Sequence, residues 1–214
     1  LRWEVGDVSE CGHRESNADS YILSSDLPAE WNVDERHASS LFAIFDGHAG
    51  NHAARYAAEH LSNCLKTEYR AGDTVQENLR RAVREMDSAF CRLCSQDGRD
   101  WDSGATALIA AIVNEELVVA NLGDSRGVMG CSVKESSDIQ ALERIGWHAL
   151  PPGDYSGSGQ CLWKEMSSDH VPSRNDERAR IEAANGWITN ETEIPIGQLR
   201  RIVLDDEDVV DILR

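Results

Sequence analysis

The sequence predicts an α+β chain in which strands come first, helices follow and strands return. Three observations carry this. Leu41 to Phe45 is a short apolar run closed by Asp46-Gly47-His48-Ala49-Gly50. Asn51 to Leu65 and Thr74 to Leu93 place apolar residues at helical spacing, and Ala107 to Val113 and Leu117 to Leu122 are apolar runs on either side of a polar turn. Short apolar runs bounded by glycine read as buried strands, a period near 3.6 residues marks a helix, and two runs across a brief turn make a hairpin.

Cys11 to Asp19 reads CGHRESNAD, a turn flanked by Arg14 and Asp19, and passes into the strand-like Ser20-Tyr21-Ile22-Leu23. Asp26 to Ser40 is polar, contains Pro28, and reads as a hairpin loop longer than usual. The next strand delivers Asp46 and His48 to the rim of a sheet. Gly47 between them lets the backbone turn and brings its carbonyl close to whatever Asp46 holds, which suits a hard cation with oxygen ligands. On these residues alone, a plain turn carrying a surface histidine fits as well.

Ala54, Ala57, Ala58, Leu61 and Leu65 form the stripe of the first helix, with Asn51 near its cap. His48 and His52 are four apart, but Ala49 stands where a zinc-protease motif needs Glu, so that reading fails. His52 and His60 read as helix-surface residues. The second helix opens on a capping box of Thr74 and Glu77 and carries Leu79, Val83, Met86, Phe90 and Leu93 as a core stripe.

Ser103-Gly104-Ala105-Thr106 leads into the hairpin, whose turn is Asn114-Glu115-Glu116. Its second run ends in Gly123-Asp124-Ser125-Arg126, again an acid after glycine at a strand end, and Gly127 to Gly130 resumes as strand. Asp124 is thus a second candidate ligand, although without the rest of the pattern a turn-forming Asp is the stronger reading. Ser132 to Gly159 is polar with Gly and Pro, a long loop or insertion whose Trp147 and Leu150 are expected to pack back. Cys161 to Met166 reads as a strand. Asn175 or Asp176 caps a short helix through Ile181 that stops at Asn185-Gly186, and the acids of Asp205 to Asp208 suit the first turn of a closing helix.

With 214 residues, 41% of them hydrophobic, the chain can bury one substantial core. Its net charge of −17 argues against a nucleic-acid backbone or an anionic bilayer as partner and favours metal ions or basic protein segments. No apolar run approaches the ~20 residues that span a membrane, and Leu1-Arg2-Trp3-Glu4 lacks a signal-peptide pattern, so a cytoplasmic or nuclear location is expected. The six cysteines are scattered, as reduced thiols are. Cys91 and Cys94 form a C-x-x-C with no second pair, which fits buried or idle thiols better than a zinc site.

Five segments occur in a specific order: Gly12-His13-Arg14 with Asp19; FAIFDGHAG at Phe42 to Gly50; SGATAL at Ser103 to Leu108; VVANLGDSRGVM at Val118 to Met129; and SSDHVP followed by ERARIEAANGWI at Ser167 to Ile188. In that order they resemble the metal-dependent protein serine/threonine phosphatases of the PPM or PP2C family, over most of the chain. The resemblance implies a two-sheet antiparallel β-sandwich flanked by helices, as a single domain over 1–214 with polar insertions at 26–40 and 132–160. It also implies a two-metal centre of Mn²⁺ or Mg²⁺ and a phosphorylated protein as substrate. Asp46 matches the carboxylate that bridges the metals, Gly47 the carbonyl ligand, and Asp19 the acid of the first motif. Arg14 matches the phosphate-binding arginine, His48 the general acid, and Asp124 the acid of a third metal position. Thr106, Ser125, Asp169 and His170 fall on motifs whose contribution in the family is mainly architectural.

Two departures stand out. Ala18-Asp19 replaces the family's Glu-Asp, removing a carboxylate that anchors one metal through water. After Gly197 to Ile202, a block carrying an Asp-Gly-x-Trp-Asp motif is missing at the 202–203 seam, and the closing Asp-Asn motif is absent, so the fold reads as incomplete at its C-terminal end. The favoured function is phosphoserine and phosphothreonine hydrolysis by direct attack of a metal-bridging water. The alternative is a catalytically weak or inactive phosphatase-fold module that acts as a binding or scaffold protein. Arg14, Asp46, His48 and Asp124 favour the first; Ala18 and the absent acids favour the second. The polar insertions read first as solvated loops, and they are where a protein partner would be met.

Overall fold

The computed structural model describes residues 4–14, 16–25, 39–96, 102–113, 116–151 and 159–188. Of the loop expected at 26–40, residues 26–38 lie outside the described residues and Ser40 already belongs to a strand; the Gly/Pro stretch at 152–158, the seam at 202–203 and the acidic closing helix also lie outside them. The chain divides into two units after Asp169, and each is described by itself.

The elements of the first unit are β1 (Ser20–Ser25), β2 (Ser40–Phe45), β3 (Gly47–His48), α1 (His52–Thr67) and α2 (Val75–Cys94). There follow β4 (Gly104–Ala105), β5 (Ala107–Val113), β6 (Glu116–Leu122), β7 (Val128–Val133), α3 (Ser136–Arg144), β8 (His148–Ala149) and β9 (Gln160–Glu165). An antiparallel sheet of order β1-β2-β5-β6 forms the base, β3 pairs with β4, and β7-β9-β8 make a third sheet. The α+β reading stands, with antiparallel sheets throughout the described residues.

Strand alternation puts one face of the four-stranded sheet into the core. Ala107, Ile109, Ala111 and Val113 of β5 are buried on alternate positions. Ile109 stands opposite Ala43 of β2 and Ala120 of β6. Helices α1 and α2 cover this face through Ala54, Ala57, Leu61 and Leu65, and through Leu79, Ala82, Val83 and Met86. The first turns of α1 offer only alanine to the sheet, so the helix can approach closely before the leucines fill the space. On the opposite face, Tyr21, Leu23 and Ile44 are 44%, 41% and 51% exposed, an apolar surface that no helix of the described residues covers.

The connection between α1 and α2 is built on a buried polar residue. Asn78 accepts from the Arg70 N–H (2.9 Å) and from Arg81 Nη1 (2.9 Å), and donates to the Thr74 carbonyl (3.2 Å). Arg81 also reaches the Glu68 carbonyl (2.6 Å) and pairs with Asp73. The predicted capping box is present: Thr74 Oγ1 accepts from the Glu77 N–H at 3.2 Å and Glu77 accepts from the Thr74 N–H at 2.8 Å.

The region from Ser132 to Gly159, expected as a loop, contains α3, β8 and the end of β7. Its structure was illegible because α3 buries no residue and so has no core stripe. Leu150 does not pack its side chain back, which stays exposed, although its N–H donates to the Cys161 carbonyl of β9 at 2.9 Å. His60 is also more than a surface residue, since its ring stacks on Tyr56 at 3.9 Å. In the second unit, α4 (Asn175–Ala183) starts after Arg174, one residue earlier than the predicted caps. It stops where expected. Asn185 adopts φ +59°, its N–H donates to Glu182 O and that of Gly186 to Ile181 O, which satisfies the last carbonyls. No helix of the described residues is long and apolar enough to cross a membrane.

Candidate functional site

Every candidate residue but Arg14, which sits in the turn at 12–14, lies at or beside a strand end. Phe45 closes β2 fully buried, and the next residue, Asp46, turns out to solvent. Thr106, at the junction of β4 and β5, fixes the Asp46 backbone from both sides. The Asp46 N–H donates to Thr106 Oγ1 at 3.2 Å, and the Thr106 N–H donates to Asp46 O at 2.9 Å. Thr106 Oγ1 is also 2.6 Å from Ser125 Oγ in the loop after β6. Because that oxygen already accepts from Asp46, its own proton can go to Ser125. One hydroxyl therefore joins the end of β2 to the loop that carries Asp124.

The first-motif loop is held by its own short bonds. Cys11 Sγ donates to Arg14 O at 2.9 Å, Asn17 Oδ1 accepts from the Asp19 N–H at 2.9 Å, and Asn17 Nδ2 donates to Ser9 Oγ at 2.8 Å. The loop lies directly on β3: a Cβ at position 47 would collide with the Ala18 carbonyl oxygen, so only glycine lets the two backbones meet. Arg14, Asp19 and Asp46 consequently share a cavity of about 220 Å³, bordered also by Glu10 and Ala18.

The electrostatics of this cavity suit a cation. Although Asp46 is exposed as a residue, partial desolvation of its carboxyl comes first in raising its pKa. The charge of Asp19 and a hydrogen bond with it come next, followed by the charge of Asp124, while Arg14 opposes them. The carboxylates thus crowd one another, with the Arg14 guanidinium beside Asp46.

His48 is placed differently. It pairs with Gly104 across β3 and β4, and its ring lies where a side chain on Gly104 would be. It borders a separate cleft of about 670 Å³ that runs along the C-terminal half of α2. The structure therefore gathers Arg14, Asp19 and Asp46, sets Gly47 against the first-motif loop and Asp124 within charge reach, and puts His48 in the neighbouring cleft. Among the described residues, no group of three or more His, Cys, Asp or Glu side chains stands close enough to hold a metal ion.

The Asp124 loop is anchored from its far side. Arg126 forks onto Asp169, with Nε at 2.9 Å and Nη2 at 2.6 Å from Oδ2. Asn121 Nδ2 donates to Gly123 O and Ser168 O at 3.2 and 3.0 Å, and the Gly127 N–H donates to Ser167 Oγ at 2.9 Å. Asn121 and Ser167 went unread in the sequence. Their only signal was their place inside ordered motifs, with partners some 40 residues away.

A family model described as protein phosphatase 2C matches residues 3–201. The chain belongs to the protein phosphatase 2C family. Among its phosphatase 2C relatives, the rice (Oryza sativa subsp. japonica) protein named "Probable protein phosphatase 2C 57" is 31% identical over 185 residues, covering 86% of this chain and 42% of the relative. The bovine (Bos taurus) "Integrin-linked kinase-associated serine/threonine phosphatase 2C" is 28% identical over 204 residues, covering 92% and 49%. The chain thus spans less than half the length of these phosphatase 2C relatives. A solved serine-threonine phosphatase 2C from Toxoplasma gondii superposes with a TM-score of 0.50 at 19% identity, over 80% of this chain and 51% of that one, a likeness of fold. Protein phosphatases 2C are generally metal-dependent.

Proposed function

We propose that this chain forms the phosphate- and metal-binding part of a protein phosphatase acting on phosphoserine and phosphothreonine. The cavity shared by Arg14, Asp19 and Asp46 carries the reading, because it sets a guanidinium beside two carboxylates at the end of a sheet. The donors fit a hard divalent cation in kind: the Asp46 and Asp19 carboxylates and the Gly47 carbonyl are oxygens, and the crowding that raises the Asp46 pKa is what a cation relieves. Among the described residues they fall short in number. Asp46, Gly47 and Asp19 would hold a pair of Mn²⁺ or Mg²⁺ ions and Asp124 a further one; when bound, such ions supply positive charge at the phosphoryl group and acidify water.

The chain's own side chains account for the rest. Arg14 presents a planar fork of donors that matches phosphoryl oxygens in pairs. Asp46, its backbone pinned on both sides by Thr106, keeps its carboxylate at one point of the rim. His48, two residues on, borders the neighbouring cleft rather than this cavity, so to give a proton to the departing serine or threonine oxygen, a contribution of roughly 10²–10⁴-fold in rate, its ring would have to turn toward Asp46. Water attacks phosphorus directly, with no covalent phosphoenzyme.

Phosphopeptide hydrolysis measured with and without Mn²⁺, for the natural chain and for Asp46→Asn, tests this. Turnover should need the metal and fall at least about 100-fold in the variant. Hydrolysis indifferent to both would overturn the proposal. The shortage of donors among the described residues and Ala18 favour a second reading, a phosphatase-fold binding module. That reading gains if the chain binds a phosphopeptide in calorimetry yet never releases phosphate.

A further inference from the structure

Helix α2 ends on a feature that phosphoryl chemistry does not use. Cys91 and Cys94 occupy its last turn, Cys91 exposed and Cys94 half-buried, and both border the 670 Å³ cleft together with Phe90 and Met86. Residues three apart on an α-helix have Cα atoms about 5 Å apart. A disulfide spans roughly 4.4–6.8 Å between Cα atoms. The Cα atoms are therefore in range, whereas Cβ atoms three apart on a helix stand about 5–6 Å apart and a disulfide needs about 3.5–4.5 Å; the last turn must move to close the bond, and because Cys94 is the last helical residue the adjustment stays there. The bonds at stake there are those of Ser95, whose N–H and hydroxyl donate to Cys91 O at 3.1 and 2.9 Å.

The other four cysteines are not so placed. Cys64 is buried, and burial pushes its thiol pKa up, which makes it unreactive. Cys11 donates to a backbone carbonyl in the first-motif loop. Cys131 and Cys161 lie on paired strands, but Cys131 faces Leu162 and Cys161 faces Ser132, so their side chains point to opposite faces of the sheet.

We infer that Cys91 and Cys94 are a modification site, a dithiol that a hydroperoxide converts to an intrahelical disulfide. Cys91, the more exposed, reacts first. Its thiolate sulfur attacks one peroxide oxygen, the O–O bond breaks, and the departing hydroxide takes a proton and leaves as water, giving a sulfenic acid. The Cys94 sulfur then attacks the Cys91 sulfur, the S–O bond breaks, and a second water leaves with the Cys94 proton. Two thiols lose two electrons and the peroxide gains them.

The test exposes the reduced full chain to hydrogen peroxide, blocks remaining thiols with N-ethylmaleimide, and digests it with trypsin without reductant. Cleavage after Arg92 puts Cys91 and Cys94 on different peptides, so the disulfide appears as a linked pair that reductant separates. The expected result is that linked pair in the natural chain, and in Cys94→Ser a Cys91 sulfenic acid that dimedone captures. Recovery of both cysteines alkylated after peroxide, or sulfinic acid at Cys91 of the natural chain with no linked pair, would overturn the inference. A far-UV spectrum of Cys94→Ser that matches the natural chain shows that α2 is intact in the variant. The linkage is read by mass, so it stands or falls independently of phosphatase activity.

Discussion

Thr106 holds more of the candidate site in place than any of its charged members, since one hydroxyl meets both the Asp46 backbone and Ser125. Thr106→Val keeps the shape and leaves the Asp46 N–H without its acceptor. It should cost about 1–3 kcal/mol in urea unfolding and loosen the rim; a loss below about 0.5 kcal/mol, the ordinary scatter of a surface change, would show that the hydroxyl is dispensable. Ala18→Glu should tighten Mn²⁺ binding in calorimetry, and an unchanged titration would count against the first-motif argument. Asp46 and Asp124 were legible because each is an acid after a strand, beside glycine. Thr106 was singled out only through the family resemblance, as an architectural residue; its bonds were not legible, because its partners are 60 and 19 residues away and a hydroxyl carries no local mark of where it will bond.

The second helix shows which parts of an element a sequence displays. Its capping box was legible because both partners sit within one turn, and the stripe from Leu79 to Met86 because burial repeats with the helix. Thr74→Ala should remove about 1 kcal/mol of stability. The bonds from the Thr74 backbone and side chain hold the Glu77 pKa below its usual value. A carboxyl depressed in the folded state stabilises above its unfolded pKa and ceases to do so as pH falls through the folded one. The stability gap between the natural chain and Glu77→Gln should therefore be full at neutral pH and close in acid; a gap that persists in acid would assign it to packing. Asn78 drew no reading from the sequence, yet it joins the turn after α1 to α2, because a buried amide is defined by its partners rather than by periodicity.

For the whole molecule, the core is the contact of α1 and α2 with one face of the four-stranded sheet, and Ile109 stands at its middle with no exposed surface. Ile109→Ala should cost about 2–5 kcal/mol in chemical unfolding. The other face leaves Tyr21, Leu23 and Ile44 open, and so large an apolar surface should bind a dye such as ANS. Ile44→Lys should reduce that fluorescence; no change would place the dye elsewhere. The frame beneath the cavity is fastened by uncharged partners, Thr106, Ser125 and backbone amides, rather than by the acids at its rim. Such a scaffold keeps its shape whether or not any chemistry takes place on it. A lineage built this way can shed hydrolysis one carboxylate at a time and still make a soundly folded protein, and an alanine at position 18 is the kind of change that this independence lets through.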